Sequence, residues 1–303
     1  MIEHIQEGFQ RFMPLPTLRD VDVPDDLVVW AATPAARAGG RSGVSVIVPA
    51  RNEETSLGPA LVAAAAGAPH EIIVVDDASD DSTEQVVRDF AIAHSQIRLI
   101  VNNQNLGPGQ SRNVAWSLAT SEYLAFLDAD DTWHPKKIEL QREWFRANPS
   151  EVICGTQHCI INQAEMQSNG EQTSHFTIND LLRRNRFTTP SVMLRRNIPL
   201  RFDPKLRLSE DYLLWMEIAS EFGHVNRINQ PLTILHKPEF GAYGLSSKIR
   251  AMYFGEMKAL TILNQKGHIG LVVLIRSYIW STLKLARRLP LALFRKLSWK
   301  SKH

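Results

Sequence analysis

The sequence predicts an α/β protein with a Rossmann-like, mainly parallel sheet, followed by an α+β half and by C-terminal helices. Apolar runs of strand length alternate with helix-length segments from residue 44 to about residue 150, which is typical of βαβ units. Polar clusters follow the strands directly, and open α/β sheets bind ligands at the carboxyl ends of their strands. A chain of 303 residues that is 44% hydrophobic can also bury a substantial core.

Changes in composition divide the chain into three segments. Residues 1–43 are predicted to be a polar leader and a linker rich in small residues. Residues 44–266 form the main domain, in which residues 44–150 carry the βαβ pattern and residues 151–266 a mixed pattern. Residues 267–303 are predicted to be a basic, amphipathic, helical tail.

The elements of the main domain follow in chain order from the same patterns. The predicted strands of its first half are VSVIVP, EIIVVDD, IRLIV and EYLAFLDAD, and the predicted helices between them cover residues 55–66, 82–94 and 108–119. In the second half, residues 151–161 and 191–195 favour strands, whereas residues 178–184 and 209–221 favour helices.

Acidic pairs end two of these strands. Asp128 and Asp130 emerge where the strand YLAFL gives way to a loop. Mg²⁺ and Mn²⁺ prefer oxygen ligands, and they commonly take one or two protein carboxylates while substrate phosphates and water complete the shell. The pair therefore indicates a divalent-cation site, although such pairs also serve as helix caps or solvated loop charges. Asp76 and Asp77 end a strand that is predicted to be central, so they need hydrogen-bond partners such as a base or a ribose.

Four segments, VSVIVPARNEE, EIIVVDDASDDST, NQNLGPGQSRNVA and EYLAFLDADDTW, resemble in order the motifs of family 2 glycosyltransferases with the GT-A fold. The resemblance runs from about residue 44 to residue 137 and is specific at family level, because four motifs match in order and spacing. It implies a GT-A nucleotide-diphospho-sugar transferase fold with a nucleotide-binding half at residues 44–150 and an acceptor half at residues 151–266.

The resemblance places a nucleotide-sugar donor against the first three motifs. Asp77 matches the acid that contacts the base, and Arg112 matches a basic donor-site position, where a guanidinium offsets phosphate charge. Gly107 and Gly109 let the backbone approach the donor, or else form an ordinary turn before a helix. The other positions expected at the nucleotide-sugar are Pro49, Ala50, Arg51, Glu53, Asp76 and Asp128.

The resemblance also implies a Mn²⁺ or Mg²⁺ cofactor. Asp128 and Asp130 match the family's DXD motif, in which the second acid binds the metal and the first lies near the ribose or the metal. The ion acts as a Lewis acid on the leaving nucleoside diphosphate. His236 is a candidate third ligand, but Ile234 and Leu235 replace the Tyr-Arg pair that commonly precedes this histidine. A hydrogen-bonded or acceptor-site histidine is the alternative.

The segment LSEDYLLW resembles the family's ED motif before a helix and supplies the expected catalytic acids, Glu210 and Asp211. In inverting members, the acid after the Glu takes a proton as the acceptor hydroxyl attacks the anomeric carbon, which makes Asp211 the expected general base. The alternative is that Ser209, Glu210 and Asp211 only cap the start of a helix and favour its dipole. Residues 188–193 resemble the region that lines the acceptor side.

These inferences predict an inverting glycosyltransferase that moves a sugar, expected to come from a UDP-sugar, to an acceptor hydroxyl in cell-surface polysaccharide or glycoconjugate synthesis. A nucleotidyltransferase would also use paired acids and a metal, but the first strand is followed by PARNEE rather than by a Gly-rich phosphate loop. A catalytically inactive GT-A-like nucleotide-binding or assembly module is the other alternative.

Charge and hydropathy bear on partners and location. With 34 basic and 32 acidic residues, the chain has no general attraction to nucleic acid. The tail contains no acid; Pro290 is expected to break it into two helices, which either lie on an anionic membrane surface or pack on the main domain. The membrane alternative suits a lipid-linked glycan acceptor.

The expected location is cytoplasmic, with peripheral contact at the cytoplasmic face of the membrane as an additional expectation. The N-terminus lacks the basic and apolar regions of a secretory signal. No run of about 18 uncharged apolar residues occurs. Cys154 and Cys159 are too few for a disulfide framework and are expected to be free thiols.

Overall fold

A computed structural model describes residues 28–31, 43–160, 172–236 and 249–300 of the protein. Its strands are β1 (Val28–Ala31), β2 (Val44–Ala50), β3 (Glu71–Asp76), β4 (Ile97–Val101), β5 (Tyr123–Phe126), β6 (Asp131–Trp133), β7 (Ile153–Ile160), β8 (Thr173–Phe176), β9 (Met193–Arg195) and β10 (Val225–Leu235). Its helices are α1 (Leu57–Ala66), α2 (Thr83–Ala93), α3 (Pro108–Leu118), α4 (Lys137–Ala147), α5 (Ile178–Arg183), α6 (Glu210–Phe222), α7 (Ile249–Gln265) and α8 (Leu271–Lys300), with a 3-10 turn at Thr189–Ser191.

These strands form one sheet in the order β1-β4-β3-β2-β5-β9-β7-β10-β6, and β8 pairs with β10. Strands β4, β3, β2 and β5 are parallel to one another, so the βαβ prediction for the first half is confirmed. In the second half β7 and β10 are parallel, whereas β6, β8 and β9 pair antiparallel with their neighbours. That mixture is the α+β pattern which the sequence predicts beyond residue 150.

Helices cover both faces of the sheet, which explains why its central strands are continuously apolar. Every residue of β3 is buried. One core lies between the sheet and α1, α2 and α4, and it includes Val46, Leu61 and Ile138. The other lies between the sheet and α3, α5, α6, α7 and α8, and it includes Trp116 and Trp215. The carboxyl ends of β2, β3 and β5 therefore lie at one edge of a three-layer scaffold.

The apolar patterns did not predict four of the strands, which are β1, β6, β8 and β10. β1 falls inside the expected leader and linker, and it pairs antiparallel with β4 at the edge of the sheet. β6 and β8 have three and four residues, and neither carries an apolar run long enough to indicate a strand. The rest of the expected leader, residues 1–27 and 32–42, lies outside the described residues.

The C-terminal helices pack on the domain. Ser281 Oγ donates to Glu256 Oε1 at 2.5 Å, and Lys284 Nζ lies 2.6 Å from the same oxygen, so α8 is tied to α7. The helix break expected at Pro290 is wrong, because α8 is continuous from Leu271 to Lys300. A proline removes one backbone hydrogen bond and can kink a helix, but the bonds on either side remain. No helix in the described ranges is both long and apolar enough to cross a membrane.

Candidate active site

Asp77 follows β3 and holds the loop that leads into α3. Its Oδ1 accepts hydrogen bonds from the Asn102 side chain and from the Leu106 N–H, and its Oδ2 accepts one from the Gly107 N–H, all at 2.8 Å. Gly107 has φ +89°, a backbone conformation that favours glycine. Asp77 thus fixes the start of α3, and its contact with a nucleotide base stays a prediction.

The loops after β2 and β3 are bonded to each other. The Asn52 N–H donates to Ser79 Oγ at 3.0 Å, and the Glu53 N–H donates to Thr83 Oγ1 at 2.8 Å. Asp76 Oδ1 accepts the Ser79 N–H at 3.0 Å and the Ser79 hydroxyl at 2.5 Å. Burial raises the pKa of Asp76 above its ordinary value, against the effect of these two bonds.

The remaining residues expected at the nucleotide lie at the same edge. Pro49 and Ala50 are the last residues of β2, which pairs in parallel with β3. Arg51 is exposed, and its guanidinium lies 3.9 Å from Asp80 of the neighbouring loop. The structure therefore gathers the predicted nucleotide-binding positions of both strands, as the topology requires.

Arg112 of α3 joins the two acidic motifs. Its Nη2 donates to Asp128 Oδ1 at 2.7 Å, and its Nη1 donates to Glu210 Oε1 at 3.1 Å. One guanidinium therefore holds these two carboxylate oxygens within about 8 Å of each other. The acid pair after β5 and the acid pair at the start of α6 form one cluster, which we call the Arg112 bridge.

The Arg112 guanidinium is charged in the interior. Its side chain is 5% exposed, and its carbon lies 5.4 Å from the centre of the Phe202 ring. Burial alone lowers the pKa of Arg112, but the carboxylates of Asp128 and Glu210 raise it above its ordinary value. Its Nε is buried without a hydrogen-bond partner. Both Nη atoms engage carboxylates, so the phosphate contact expected of Arg112 stays a prediction.

Gly109 allows α3 to come close to Glu210. A Cβ at this position would lie 2.9 Å from Glu210 Cγ, closer than real contacts allow. The sequence predicts that this glycine lets the backbone approach the donor. In the structure it lets two helices approach each other, and the Arg112 bridge spans the gap.

Asp211 lies next to the bridge and is partly exposed. Its Oδ1 accepts the Tyr212 N–H at 2.7 Å, and its Oδ2 accepts the Thr189 hydroxyl at 3.2 Å. Burial, with the neighbouring charge of Glu210, raises the pKa of Asp211 to about 6, although Arg112 and the two hydrogen bonds act in the opposite direction. A carboxylate with this pKa is ionised at neutral pH and is more basic than an ordinary aspartate.

The start of α6 is held in an unfavourable backbone conformation. Ser209 has φ +62° and ψ +21°, in the left-handed region, and its side chain makes no capping hydrogen bond. A residue other than glycine pays about 1 kcal/mol or more for this conformation, and such residues concentrate at functional sites. The simple capping explanation of this segment therefore lacks the hydrogen bond from Ser209 that it needs.

Two of the three expected metal ligands, Asp128 and Asp130, are near each other in sequence, whereas His236 lies on a distant segment, and the three do not form a protein cage. Within the part of the chain that the structure describes, no three His, Cys, Asp or Glu side chains come together as a metal site. One oxygen of Asp128 is used by Arg112. His236 is exposed, and its Nε2 lies 2.8 Å from the Thr132 hydroxyl. A third-ligand role for His236 stays a prediction.

The sequence model of the family described as "Glycosyl transferase family 2" matches residues 45–204, which is more than half of the chain. The chain is a family 2 glycosyltransferase. The match includes the strands β2 to β5 and the Arg112–Asp128 side of the bridge, whereas Glu210 and Asp211 lie beyond its end.

The relatives that resemble the glycosyltransferase in sequence include WfgD and ExoO. The UDP-Glc:alpha-D-GlcNAc-diphosphoundecaprenol beta-1,3-glucosyltransferase WfgD of Escherichia coli is 30% identical over 188 residues, 61% of this chain and 73% of that protein. The succinoglycan biosynthesis protein ExoO of Rhizobium meliloti is 31% identical over 195 residues, 56% of this chain and 54% of that protein. The chain thus spans only about half the length of ExoO.

Solved structures share the fold. S. aureus TarS 1-349, in complex with UDP-GlcNAc, superposes with a TM-score of 0.59 at 22% identity, over 73% of this chain and 67% of that one. The mannosyltransferase PcManGT from Pyrobaculum calidifontis, in complex with GDP-Man and Mn²⁺, gives a TM-score of 0.58 at 18% identity, over 86% and 80%. The glycosyltransferase therefore has the predicted GT-A fold.

The glycosyltransferase positions Thr189 through contacts that the sequence did not reveal. The turn at Thr189–Ser191 is held by the Trp133 Nε1–H, which donates to the Pro190 carbonyl at 2.8 Å, and by Gln141 Nε2, which donates to the Ser191 carbonyl at 3.2 Å. The only sequence signal was the resemblance of residues 188–193 to the acceptor side, and it did not single out Thr189.

Lys137 contacts Trp133 and Gln141, the two residues that hold the same turn. Its Nζ lies 4.0 Å from the centre of the Trp133 ring and donates to Gln141 Oε1 at 2.9 Å. The side chain is fully buried, and burial lowers the pKa of Lys137 to about 7. Nearby Cys154 is a buried free thiol, as expected, and burial raises its pKa.

Proposed function

We propose that the protein is an inverting, metal-dependent glycosyltransferase that transfers a sugar from a nucleotide-sugar donor to an acceptor hydroxyl. The Arg112 bridge is the observation that carries this proposal, because it sets the acid pair after β5 beside the acid pair of α6. A donor diphosphate at the first pair and an acceptor hydroxyl at the second would lie next to each other.

Asp211 is the proposed general base. Two carboxylate oxygens offer about four acceptor sites, so capacity remains beyond the bonds from Tyr212 and Thr189. The carboxylate takes the hydroxyl proton while the acceptor oxygen bonds to the anomeric carbon. The bond from that carbon to the diphosphate breaks on the opposite face of the sugar, which inverts the configuration. Glu210 contributes by raising the basicity of Asp211 and by holding Arg112.

The acids after β5 suit a divalent ion whose shell is completed by substrate. Asp130 and Asp128 offer hard oxygen ligands, and Mg²⁺ or Mn²⁺ commonly binds one or two carboxylates together with substrate phosphates. When bound, the ion offsets the charge that develops on the leaving nucleoside diphosphate. The Mn²⁺ in the PcManGT complex supports this assignment. His236 would need to exchange its contact with Thr132 to join the shell.

The comparisons support the substrate classes. A UDP-sugar is the proposed donor, since WfgD is named for UDP-Glc and the TarS complex contains UDP-GlcNAc. A lipid-linked glycan is the proposed acceptor, since the acceptor in the name of WfgD is a diphosphoundecaprenol-linked sugar. The product would enter cell-surface polysaccharide or another glycoconjugate, in agreement with the role named for ExoO.

Helix α8 provides a surface for peripheral contact with the cytoplasmic face of a membrane. Its outer side exposes large apolar side chains, and no acid occurs among residues 267–303, so anionic lipid fits its charge. Arg276 and Arg287 are exposed on the same helix. The exposed apolar residues of this outer face are Leu271, Val272, Ile275, Ile279, Trp280 and Leu283.

A donor screen tests the proposal. The purified chain, with Mn²⁺ or Mg²⁺, is given UDP-, GDP- and dTDP-sugars, and release of the nucleoside diphosphate is followed. We expect slow hydrolysis of one UDP-sugar, abolished by EDTA and by Asp130→Ala but not by Asp89→Asn on the exposed side of α2. Consumption of no donor, with membrane lipids present, would remove the enzyme proposal in favour of a binding module.

The alternative, an inactive GT-A-like nucleotide-binding or assembly module, makes a distinct prediction for Asp211. If the protein is an enzyme, Asp211→Asn lowers sugar transfer about 100- to 10,000-fold, the usual contribution of a general base, while nucleotide affinity is retained. If the protein only binds nucleotide, the unmodified protein and the Asp211→Asn variant bind it equally, and neither transfers sugar.

A further inference from the structure

Two arginines lie against the ring of Phe176 on β8, and the charge of a third, Arg184, acts on one of them. The guanidinium carbons of Arg186 and Arg227 lie 5.1 and 5.0 Å from the ring centre, so they are within about 10 Å of each other. Burial lowers the pKa of Arg227, and the positive charges of Arg186 and Arg184 lower it further. We call Arg184, Arg186 and Arg227 the arginine cluster.

Among the described residues, no carboxylate forms an ion pair with the arginine cluster. No acid in residues 43–160, 172–236 or 250–287 forms a salt bridge within 4.0 Å with any of the three arginines. Asp180 is a nearby acid, and it is bonded to the Thr177 N–H and hydroxyl at the start of α5. These bonds lower the pKa of Asp180, and the charge of Arg186 lowers it further, although no ion pair within 4.0 Å joins the two residues. Arg186 Nε is buried without a hydrogen-bond partner. Concentrated, partly desolvated positive charge of this kind is costly unless an anion balances it.

The cluster is fixed beside the proposed acceptor position. Arg186 precedes Thr189, the partner of Asp211, by three residues, so their Cα atoms are at most about 11 Å apart. Phe187 between them is buried, and its ring centre lies 6.0 Å from that of Phe176. The arginines and the turn at Thr189–Ser191 are therefore parts of one packed unit.

The cluster is also joined to α8. The Trp280 Nε1–H donates to the carbonyl of Arg183, the residue before Arg184, at 3.0 Å. Trp280 belongs to the apolar outer face of α8. The segment from Arg183 to Thr189 thus connects α8, two residues of the arginine cluster and the hydrogen-bond partner of the proposed base.

We infer that the arginine cluster binds the phosphate or diphosphate of a lipid-linked acceptor. Such a molecule carries a reactive hydroxyl, then an anionic phosphate, then an apolar chain, which matches the order of Asp211, the arginines and α8. Guanidinium groups bind phosphate oxygens in pairs, and several of them suit a diphosphate. The inference rests on the proposed function, since it takes Asp211 as the place of the acceptor hydroxyl.

The test uses farnesyl diphosphate, an isoprenoid diphosphate without a sugar. The full chain is first saturated with UDP and Mn²⁺, and that titration separately tests the proposed nucleotide site. Farnesyl diphosphate is then added, and binding is followed by calorimetry. We expect saturable binding that weakens about tenfold or more in Arg184→Gln and in Arg186→Gln, because each removes a charge-assisted contact. Arg146→Gln, on the exposed end of α4, is the matched control and should bind as the unmodified chain does.

Two further arms identify the source of the phosphate. Farnesol should bind at least tenfold more weakly than farnesyl diphosphate, since it lacks the anion. Vesicles of phosphatidylcholine with phosphatidylglycerol should bind the arginine variants as well as the unmodified chain, because lipid contact is assigned to α8. Arg184 is exposed, so its variant keeps the test valid even where Arg186→Gln folds poorly.

The outcomes separate the two proposals. If UDP binds but farnesyl diphosphate does not, or binds equally to all variants, the arginine site is refuted and the proposed function stands. If the variants lose vesicle binding rather than farnesyl diphosphate binding, the arginines bind bilayer headgroups and the acceptor assignment is wrong. If UDP does not bind, the proposed nucleotide site is wrong, and the proposed function is refuted together with the inference that rests on it.

Discussion

At the scale of single residues, the chemistry depends on how one carboxylate is made basic. Asp211 is more basic than an ordinary aspartate because burial and Glu210 disfavour its charge, yet Arg112, Tyr212 and Thr189 keep it ionised at neutral pH. The opposing effects leave its pKa near 6, where a base is largely ionised and still strong enough to take a proton. Arg112 serves the same balance, since it stays charged between two acids.

The pH profile of transfer follows from this balance. Asp211 is an active base only when deprotonated, so kcat/KM should be constant above its pKa and fall about tenfold per pH unit below about pH 6. An ordinary aspartate would place that limb near pH 4. Steady-state rates between pH 4.5 and about 8 with saturating donor would measure it. A rate that stays constant down to pH 4.5 would contradict the assignment of Asp211.

Thr189 provides the control for this profile. Its hydroxyl donates to the ionised form of Asp211, so Thr189→Val should move the acidic limb to higher pH. Thr189→Ser keeps the hydroxyl and should restore the original limb. If valine and serine give the same profile, Thr189 contributes packing alone.

At the scale of elements, the site depends on how closely α3 and α6 approach. Gly109 and Gly58 both occupy the second position of a helix, in α3 and α1. A Cβ at Gly109 would meet Glu210 Cγ at 2.9 Å, whereas one at Gly58 would make ordinary contact with the Phe90 ring at 3.6 Å. The two glycines are therefore a matched pair for testing the Arg112 bridge.

We expect Gly109→Ala to lower transfer at least tenfold, because the new methyl group displaces Glu210 and with it Arg112. A displacement of about 1 Å can cost about 100-fold in rate. Gly58→Ala should leave activity unchanged and raise stability by up to about 1 kcal/mol, since alanine is the better helix former. Thermal unfolding and initial rates of both variants would decide. Equal activities would show that the bridge tolerates a shift of α6.

The outer face of α8 makes a prediction at the same scale. Ile275 and Ile279 are 51% and 58% exposed, so their replacement by serine should leave the fold intact. Removing both should weaken co-sedimentation with phosphatidylglycerol vesicles about tenfold, because two apolar side chains no longer enter the lipid. Ile92→Ser on α2, where Ile92 is 72% exposed, is the control and should change nothing. Binding that is insensitive to both changes would place the membrane contact elsewhere.

At the scale of the molecule, the sequence predicts most clearly what is locally encoded. β2, β3, β4 and β5 are short apolar runs buried on both faces, and they lie where their patterns placed them. The acids after β3 and β5 were found by their position at strand ends. β6 and β8 were missed because three or four residues of mixed polarity do not define a period.

The contacts between separate elements of the site could not be predicted from sequence patterns. Nothing local in the sequence shows that Arg112 reaches Asp128 and Glu210 at once, or that Thr189 meets Asp211. These contacts join separate elements, so they depend on how the sheet brings α3, α6 and the turn at Thr189–Ser191 together. The arginine cluster is likewise built from two segments, one before that turn and one in β10.

The relation of the tail to the domain can be tested with two truncations. The predicted boundary at residue 267 falls between α7 and α8, but Ile269 and Leu274 beyond it are each only 8% exposed and belong to the core. A chain that ends at Lys266 should lose about 4 kcal/mol, from about 2 kcal/mol per buried side chain, and its Tm should fall by roughly 10 °C. A chain that ends at Arg287 keeps both residues and the contact between Lys284 and Glu256, so its Tm should stay within about 2 °C of the full chain. Calorimetry of the three chains measures this, and equal Tm values for all three would mean that the tail is an independent appendage.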